Sequence, residues 1–223
     1  MDLGQILVLR VTKNVVIAVD GTAASGKGTL ARRLAAELGY AYFDSGLLYR
    51  CIALSLLSSG QDPTDGSAAE RVAEGFTLQG VNFSNPALRD EETGNVAGIV
   101  AANGNVRAAL IDKQRRFAVD PPNGEPGSVL DGRDIGTVIC PDADYKFFVD
   151  ADVHVRAERR LKELQDRGVE SIPARVLQDM KERDRRDQNR TVAPLVPASD
   201  ASVINTTNLN ADAAFALAMS FIR

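Results

Sequence analysis

The stretch VVIAVDGTAASGKGTLARRL, Val15 to Leu34, decides the fold. Val15 to Val19 is a short continuous apolar run, the pattern of a strand buried on both faces of a parallel sheet. Leu30, Leu34 and Leu38 then recur every four residues with Ala31 and Ala35 beside them, which is a helix stripe, and Gly39 supplies its stop. Between strand and helix, Gly21-Thr22-Ala23-Ala24-Ser25-Gly26-Lys27 matches G-x-x-x-x-G-K. Glycines let backbone amides turn inward toward phosphate oxygens, and the helix presents its N-terminus to the anion. Lys27 adds a mobile positive charge for the outer phosphates. A donor nucleotide such as ATP is therefore expected along Gly21, Thr22, Ala23, Ala24, Ser25, Gly26, Lys27, Gly28 and Thr29. Gly28 stands where Ser or Thr usually follows the lysine, so Mg²⁺ is expected to rely on nucleotide oxygens, water and a more distant carboxylate.

Working outward, Tyr40 to Phe43 reads as a second strand and Leu47 to Leu57 as a helix closed by Ser58-Ser59-Gly60. Turn formers crowd residues 61–95, around a strand-like patch from Phe76 to Phe83. A helix follows from Val106 to Phe117. Ser128 to Leu130, Tyr145 to Val149 and Ser202 to Asn205 read as strands. Val153 to Arg167, Ile172 to Asp187 and Ala211 to Ile222 read as helices, with His154 a surface or structural residue. Strands alternating with helices favour an α/β fold with a central parallel sheet. The expected organisation is one domain over residues 14–223, with a core of 14–60, 125–155 and 195–223. An inserted substrate-holding region covers 61–120, a helical lid covers 156–192, and 1–13 is a tail or added strand.

Composition narrows the partners. The net charge is −4, against a surface that coats nucleic acid or anionic membrane. Two distant cysteines, Cys51 and Cys140, suit free thiols in a cytoplasmic protein and exclude a disulfide framework. The lone His154 leaves no multi-histidine metal site or ready Ser-His-Asp triad. No apolar run approaches the roughly 20 residues of a membrane span.

If ATP donates a phosphoryl group, a phosphate acceptor needs no general base. Its difficulty is repulsion from the donor. Arginine answers this best, because its planar fork pairs bidentately with phosphate. Three segments offer arginines at special places: Asp44-Ser45-Gly46-Leu47-Leu48-Tyr49-Arg50, Asp131-Gly132-Arg133-Asp134, and residues 181–190. Each alone admits a plainer reading, as a helix cap, a turn with a salt bridge, or a solvated helix face. Residues 156–190 hold 11 basic and 8 acidic side chains, too balanced for a nucleic-acid patch and suited to a mobile lid.

Together these segments resemble the bacterial cytidylate kinases, within the nucleoside monophosphate kinases of the P-loop class. The resemblance rests on GTAASGKGT at 21–29, DSGLLYR at 44–50, VRAALIDKQR at 106–115, DGRDIGTVICPDADYKFFVDA at 131–151 and RDRRDQNRTVAPLVPASDA at 183–201. It implies a P-loop kinase with an inserted monophosphate-binding region and a helical lid. It also implies transfer of the ATP γ-phosphoryl to CMP or dCMP with Mg²⁺. By the same resemblance Ser45, Arg50, Arg133 and Arg190 meet the acceptor phosphate, and Arg107 and Asp134 read the cytosine edge. Arg183 and Asp187 reach the sugar or phosphates from the lid. Asp131 stands near Mg²⁺, through water, and Lys27, Arg133, Arg183 and Arg190 act on the transferring group. The expected partners are small molecules, and a monomer is expected. The sequence departs from the family pattern at Gly98, where a serine is common, at Thr22 and Gly104, where prolines are common, and at Asn205, where an aspartate is common. Gly98 leaves base choice open, with a UMP/CMP-type kinase as the alternative. Outside enzymes, the alternative is a nucleotide-dependent switch protein, although no N-K-x-D base reader is present.

Overall fold

The structure, a computed structural model, describes residues 14–222. Five strands form one sheet: β1 (Val15–Gly21), β2 (Ala41–Asp44), β3 (Gly127–Gly132), β4 (Tyr145–Asp150) and β5 (Ser202–Asn205), in the order β2-β3-β1-β4-β5. Every pairing is parallel. The segment 1–13, expected as a tail or added strand, lies outside the described residues.

The apolar run at β1 is explained by its place at the sheet's centre, where both faces are covered. On one face Ile17, Val19, Val129, Phe147 and Ile204 pack with Leu30, Leu34 and Ala218. These last come from α1 (Lys27–Leu38) and α8 (Ala211–Phe221). On the other face Ala18, Leu130 and Phe43 pack beneath Leu48, Ile52, Leu56, Val96, Val100, Val106 and Leu110. Those residues belong to α2 (Gly46–Ser58), α4 (Glu91–Val100) and α5 (Gly104–Val119). α3 (Gly66–Gly75) lies against α2 and α5. α6 (Val153–Asp166) and α7 (Pro173–Gln188) share a small cluster, Ala157, Leu164, Val176 and Met180, that also takes in Ala23 of the phosphate loop.

Topology builds the site. The chain leaves β1, passes over β3 to reach β2, returns to β3, and then crosses β1 to reach β4. Ligands in such sheets bind beyond the carboxyl ends of the strands where the winding reverses. The registers Val19↔Asp131 and Asp20↔Gly132 bring the start of the phosphate loop beside Asp131 to Asp134, more than a hundred residues later in the chain.

One expectation is corrected. Phe76 to Phe83 forms no strand; it runs as bends and turns between α3 and a short 3₁₀ turn at Pro86–Arg89. Gly80 takes φ +79°, which interrupts an extended run at its middle, and the Asn82 side chain accepts from Ser84 N at 3.0 Å to close a turn. Phe76, Leu78 and Phe83 still serve the core as half-buried side chains. Two helices sit where turn formers alone were read. Asp65 is the N-cap of α3, accepting from Ser67 N and Ala68 N, and Asp90 precedes α4.

Candidate active site

The phosphate loop is tied to the sheet at several points. Ser25 Oγ donates to Thr22 O at 2.9 Å, and Thr206 Oγ1 donates to Ser25 O at 2.7 Å. Thr22 Oγ1 donates to Asp150 Oδ1 at 2.7 Å, a bond that a proline at this position does not make. Arg156, buried in α6, donates to Ala23 O at 3.3 Å and pairs with Asp184 of α7 at 2.6 Å. The loop and the two helices are therefore one connected unit.

Lys27 opens α1 and turns its ammonium toward β3, with Nζ 3.4 Å from Asp131 Oδ1. The other oxygen of Asp131 accepts from Tyr42 OH at 3.1 Å. The glycine that follows the lysine now has a reason: a Cβ on Gly28 falls 2.8 Å from Asp131 Oδ2, so Ser or Thr there collides with the carboxylate. Thr29 faces the other way, into a cavity of about 200 Å³ shared with Ser25, Gly26, Arg159, Thr206 and Asn210. Asn205 is exposed, and its side chain accepts from Thr207 N at 2.9 Å.

The larger cavity, about 550 Å³, brings together Lys27, Ser45, Arg50, Arg107, Asp131, Arg133, Asp134, Arg183, Asp187 and Arg190. Ser45 is buried at the start of α2 and turns both its hydroxyl and its N–H to Asp131 O, at 2.8 and 2.9 Å. Arg50 Nη1 donates to Leu88 O at 2.7 Å. Arg107 and Asp134 form a buried ion pair, with the Arg107 guanidinium also over the Tyr49 ring at 5.5 Å. Asp187 receives Arg133 Nε at 2.9 Å on one oxygen and Arg190 on the other. Arg190 Nε is buried with no hydrogen-bond partner among the described residues.

Electrostatics single out what the cavity lacks in charge balance. Burial lowers the proton affinity of Lys27, Arg50, Arg183 and Arg190, and neighbouring cations lower it further in each case. Arg183 is brought down to about 9, by burial first and by Arg133 second. Asp187, surrounded by Arg133, Arg190 and Arg183, is held below the usual carboxylate range despite its burial. Buried guanidinium groups that repel one another gain from any multiply charged anion placed among them.

Sequence reading missed Arg186. Arg183, Arg186 and Asp187 share one face of α7, Arg190 follows just beyond its end, and all four line the cavity. The Arg186 guanidinium lies against α4, where a Cβ on Gly98 falls 2.7 Å from its Nη1. The periodicity was available in the sequence, but the partner across the cavity was not. No group of three or more potential metal-ligating side chains occurs among the described residues. No described helix is long and apolar enough to cross a membrane.

The sequence pattern of the family described as Cytidylate kinase matches residues 17–223. The cytidylate kinase of Paramagnetospirillum magneticum is 56% identical over 209 residues, which cover 94% of this chain and 98% of that protein. The cytidylate kinase of Rhodospirillum rubrum is 49% identical over 208 residues, covering 93% and 97%. A crystal structure of an uncharacterized protein from Eubacterium ventriosum superposes with a TM-score of 0.55 at 15% identity, covering 94% of this chain and 98% of that one, which is a likeness of fold.

Proposed function

The chain belongs to the cytidylate kinase family, and on that premise we propose that it transfers the γ-phosphoryl group of ATP to CMP or dCMP, giving ADP and CDP or dCDP. The observation that carries the reading is the division of cations around one cavity. Lys27 sits on the phosphate-loop side, and Arg50 from α2, Arg133 from the loop after β3, Arg183 from α7 and Arg190 from just beyond α7 converge on the other.

The mechanism follows from that division. The loop 21–29 holds the donor phosphates with its amides and Lys27. Ser45, Arg50, Arg133 and Arg190 hold the acceptor phosphate, whose oxygen attacks directly. No side chain needs to take a proton, because the acceptor is already an oxyanion. The guanidinium groups offset the repulsion between two anions and stabilise charge on the transferring group, in line, without a covalent enzyme intermediate. Arg107 and Asp134, fixed on each other, present hydrogen-bonding edges to the cytosine. Asp131, a single carboxylate beside the loop lysine, is the residue that would hold Mg²⁺, through water. When bound, the ion spreads the negative charge of the β- and γ-phosphates. α6 and α7 act as the lid over the inserted region, and closure keeps water from accepting the phosphoryl group.

The test is a panel of CMP, dCMP, UMP, AMP and GMP with ATP and Mg²⁺, read by coupled ADP release. CMP and dCMP are expected to have the highest kcat/KM. Turnover dominated by UMP, AMP or GMP, or ADP release independent of any monophosphate, overturns the reading.

Gly98 yields a second expectation. A serine at 98 displaces the Arg186 guanidinium, the free end of a flexible side chain, from its place against α4. Because Arg186 lines the cavity, Gly98→Ser is expected to change KM for CMP about five-fold, the equivalent of about 1 kcal/mol, and to leave KM for ATP within a factor of two. In an Arg186→Ala background the same substitution is expected to have no further effect; full additivity in this double-mutant cycle rejects the contact as its cause.

A further inference from the structure

We propose that Asp20 is a positioning residue that sets the acceptor-binding loop against the phosphate loop. Asp20 is the residue immediately before Gly21, at the carboxyl end of β1, and its side chain is buried. Its Oδ1 accepts from Ile135 N at 2.8 Å and its Oδ2 accepts from Gly136 N at 2.7 Å. Those two amides directly follow Arg133 and Asp134, the pair that lines the acceptor side of the cavity. One carboxylate thus belongs to the strand that feeds the donor loop and grips the segment that carries the acceptor groups.

The arrangement is costly for a core. Burial of Asp20 raises its proton affinity, to a pKa of about 7, and the neighbouring charges Asp134 and Asp131 have its own sign. Two successive buried amides nevertheless need acceptors, and the carboxylate offers one oxygen to each. Ile135 to Ile139 forms a single π-helical turn, whose first amides are the ones Asp20 receives. Fixing that turn fixes the backbone from which Arg133 reaches Asp187 and Asp134 reaches Arg107. Asp20 does not line the cavity; it acts through the loop.

This inference rests on the proposed roles of Arg133 and Asp134, and its test separates the two. Asp20→Asn keeps the shape, but its amide NH₂ must face one of the two backbone N–H groups. With the natural chain first shown to phosphorylate CMP, Asp20→Asn is expected to raise KM for CMP at least ten-fold and to change KM for ATP less than two-fold. If the natural chain does not use CMP, the proposed function fails, and the KM comparison is made with whichever monophosphate it does use. A merely structural role lowers the fraction of folded enzyme, and hence apparent kcat, with both KM values unmoved; that result overturns the proposal. An equal rise in both KM values also overturns it, since the carboxylate would then serve the donor loop alike. Should Asp20→Asn fail to fold, Asp20→Ser, whose single short hydroxyl does not accept from both amides, carries the same comparison with the same two overturning outcomes.

Discussion

Lys27→Ala is expected to lower kcat by about 10²–10³-fold, roughly 3–4 kcal/mol in the transition state, while the chain remains folded. Both halves of the expectation follow from the lysine's surroundings. Its ammonium is 3.4 Å from Asp131, yet Arg133 and Arg183 repel it and burial disfavours its charge. Removing it relieves that repulsion and leaves Asp131 still accepting from Tyr42 OH. The attraction lost and the repulsion relieved therefore offset each other in the folded state without nucleotide. With donor phosphates present the balance changes, because the lysine of the G-x-x-x-x-G-K loop then meets the negative charge that develops in transfer. The measurement is kcat at saturating ATP and CMP, beside urea unfolding of the same preparation. A folded variant with near-normal turnover defeats the assigned role, and a variant that unfolds with little urea defeats the electrostatic argument.

The sheet was legible because its strands are local signals. Val15 to Val19, Ser128 to Leu130 and Tyr145 to Val149 are apolar runs that need no distant partner to be read, and all three are strands. The loop was legible for the same reason, since strand, glycines, lysine and helix are contiguous. Phe76 to Phe83 was misread because aromatic and apolar residues there fill a helical core from a turn, with Gly80 deciding against extension. Gly28 read as a departure from the motif, and its cause, the carboxylate of Asp131, lies on another strand. Asp20 and Arg186 went unread on similar grounds. Asp20 stands between the apolar run and the glycine loop, and its partners are amides at 135 and 136. Arg186 lay within a dense charge run where spacing alone does not say which face is covered. Residues whose purpose is fixed by a partner far along the chain leave little trace in their own neighbourhood.

Asp187→Asn is expected to be the more damaging change to the protein without nucleotide. Asp187 is buried, with one oxygen on Arg133 and the other on Arg190, while Arg183 adds a third positive charge nearby. Exposed ion pairs contribute little, but removing one partner of a buried pair leaves an uncompensated charge and costs about 3–5 kcal/mol. Here a single carboxylate balances guanidinium groups from two segments, Arg133 after β3 and Arg190 just beyond α7. The asparagine can accept from one guanidinium only and turns an NH₂ toward the other. A total stability of about 5–15 kcal/mol makes such a loss easily measured as a lower urea midpoint. An anion can supply the missing charge, so inorganic phosphate is expected to raise the midpoint of Asp187→Asn more than that of the natural chain. A variant within about 0.5 kcal/mol of the natural chain, the scatter of surface substitutions, shows that the guanidinium groups do not depend on Asp187. A large loss that phosphate does not reduce shows that packing, rather than charge, is what the carboxylate supplies.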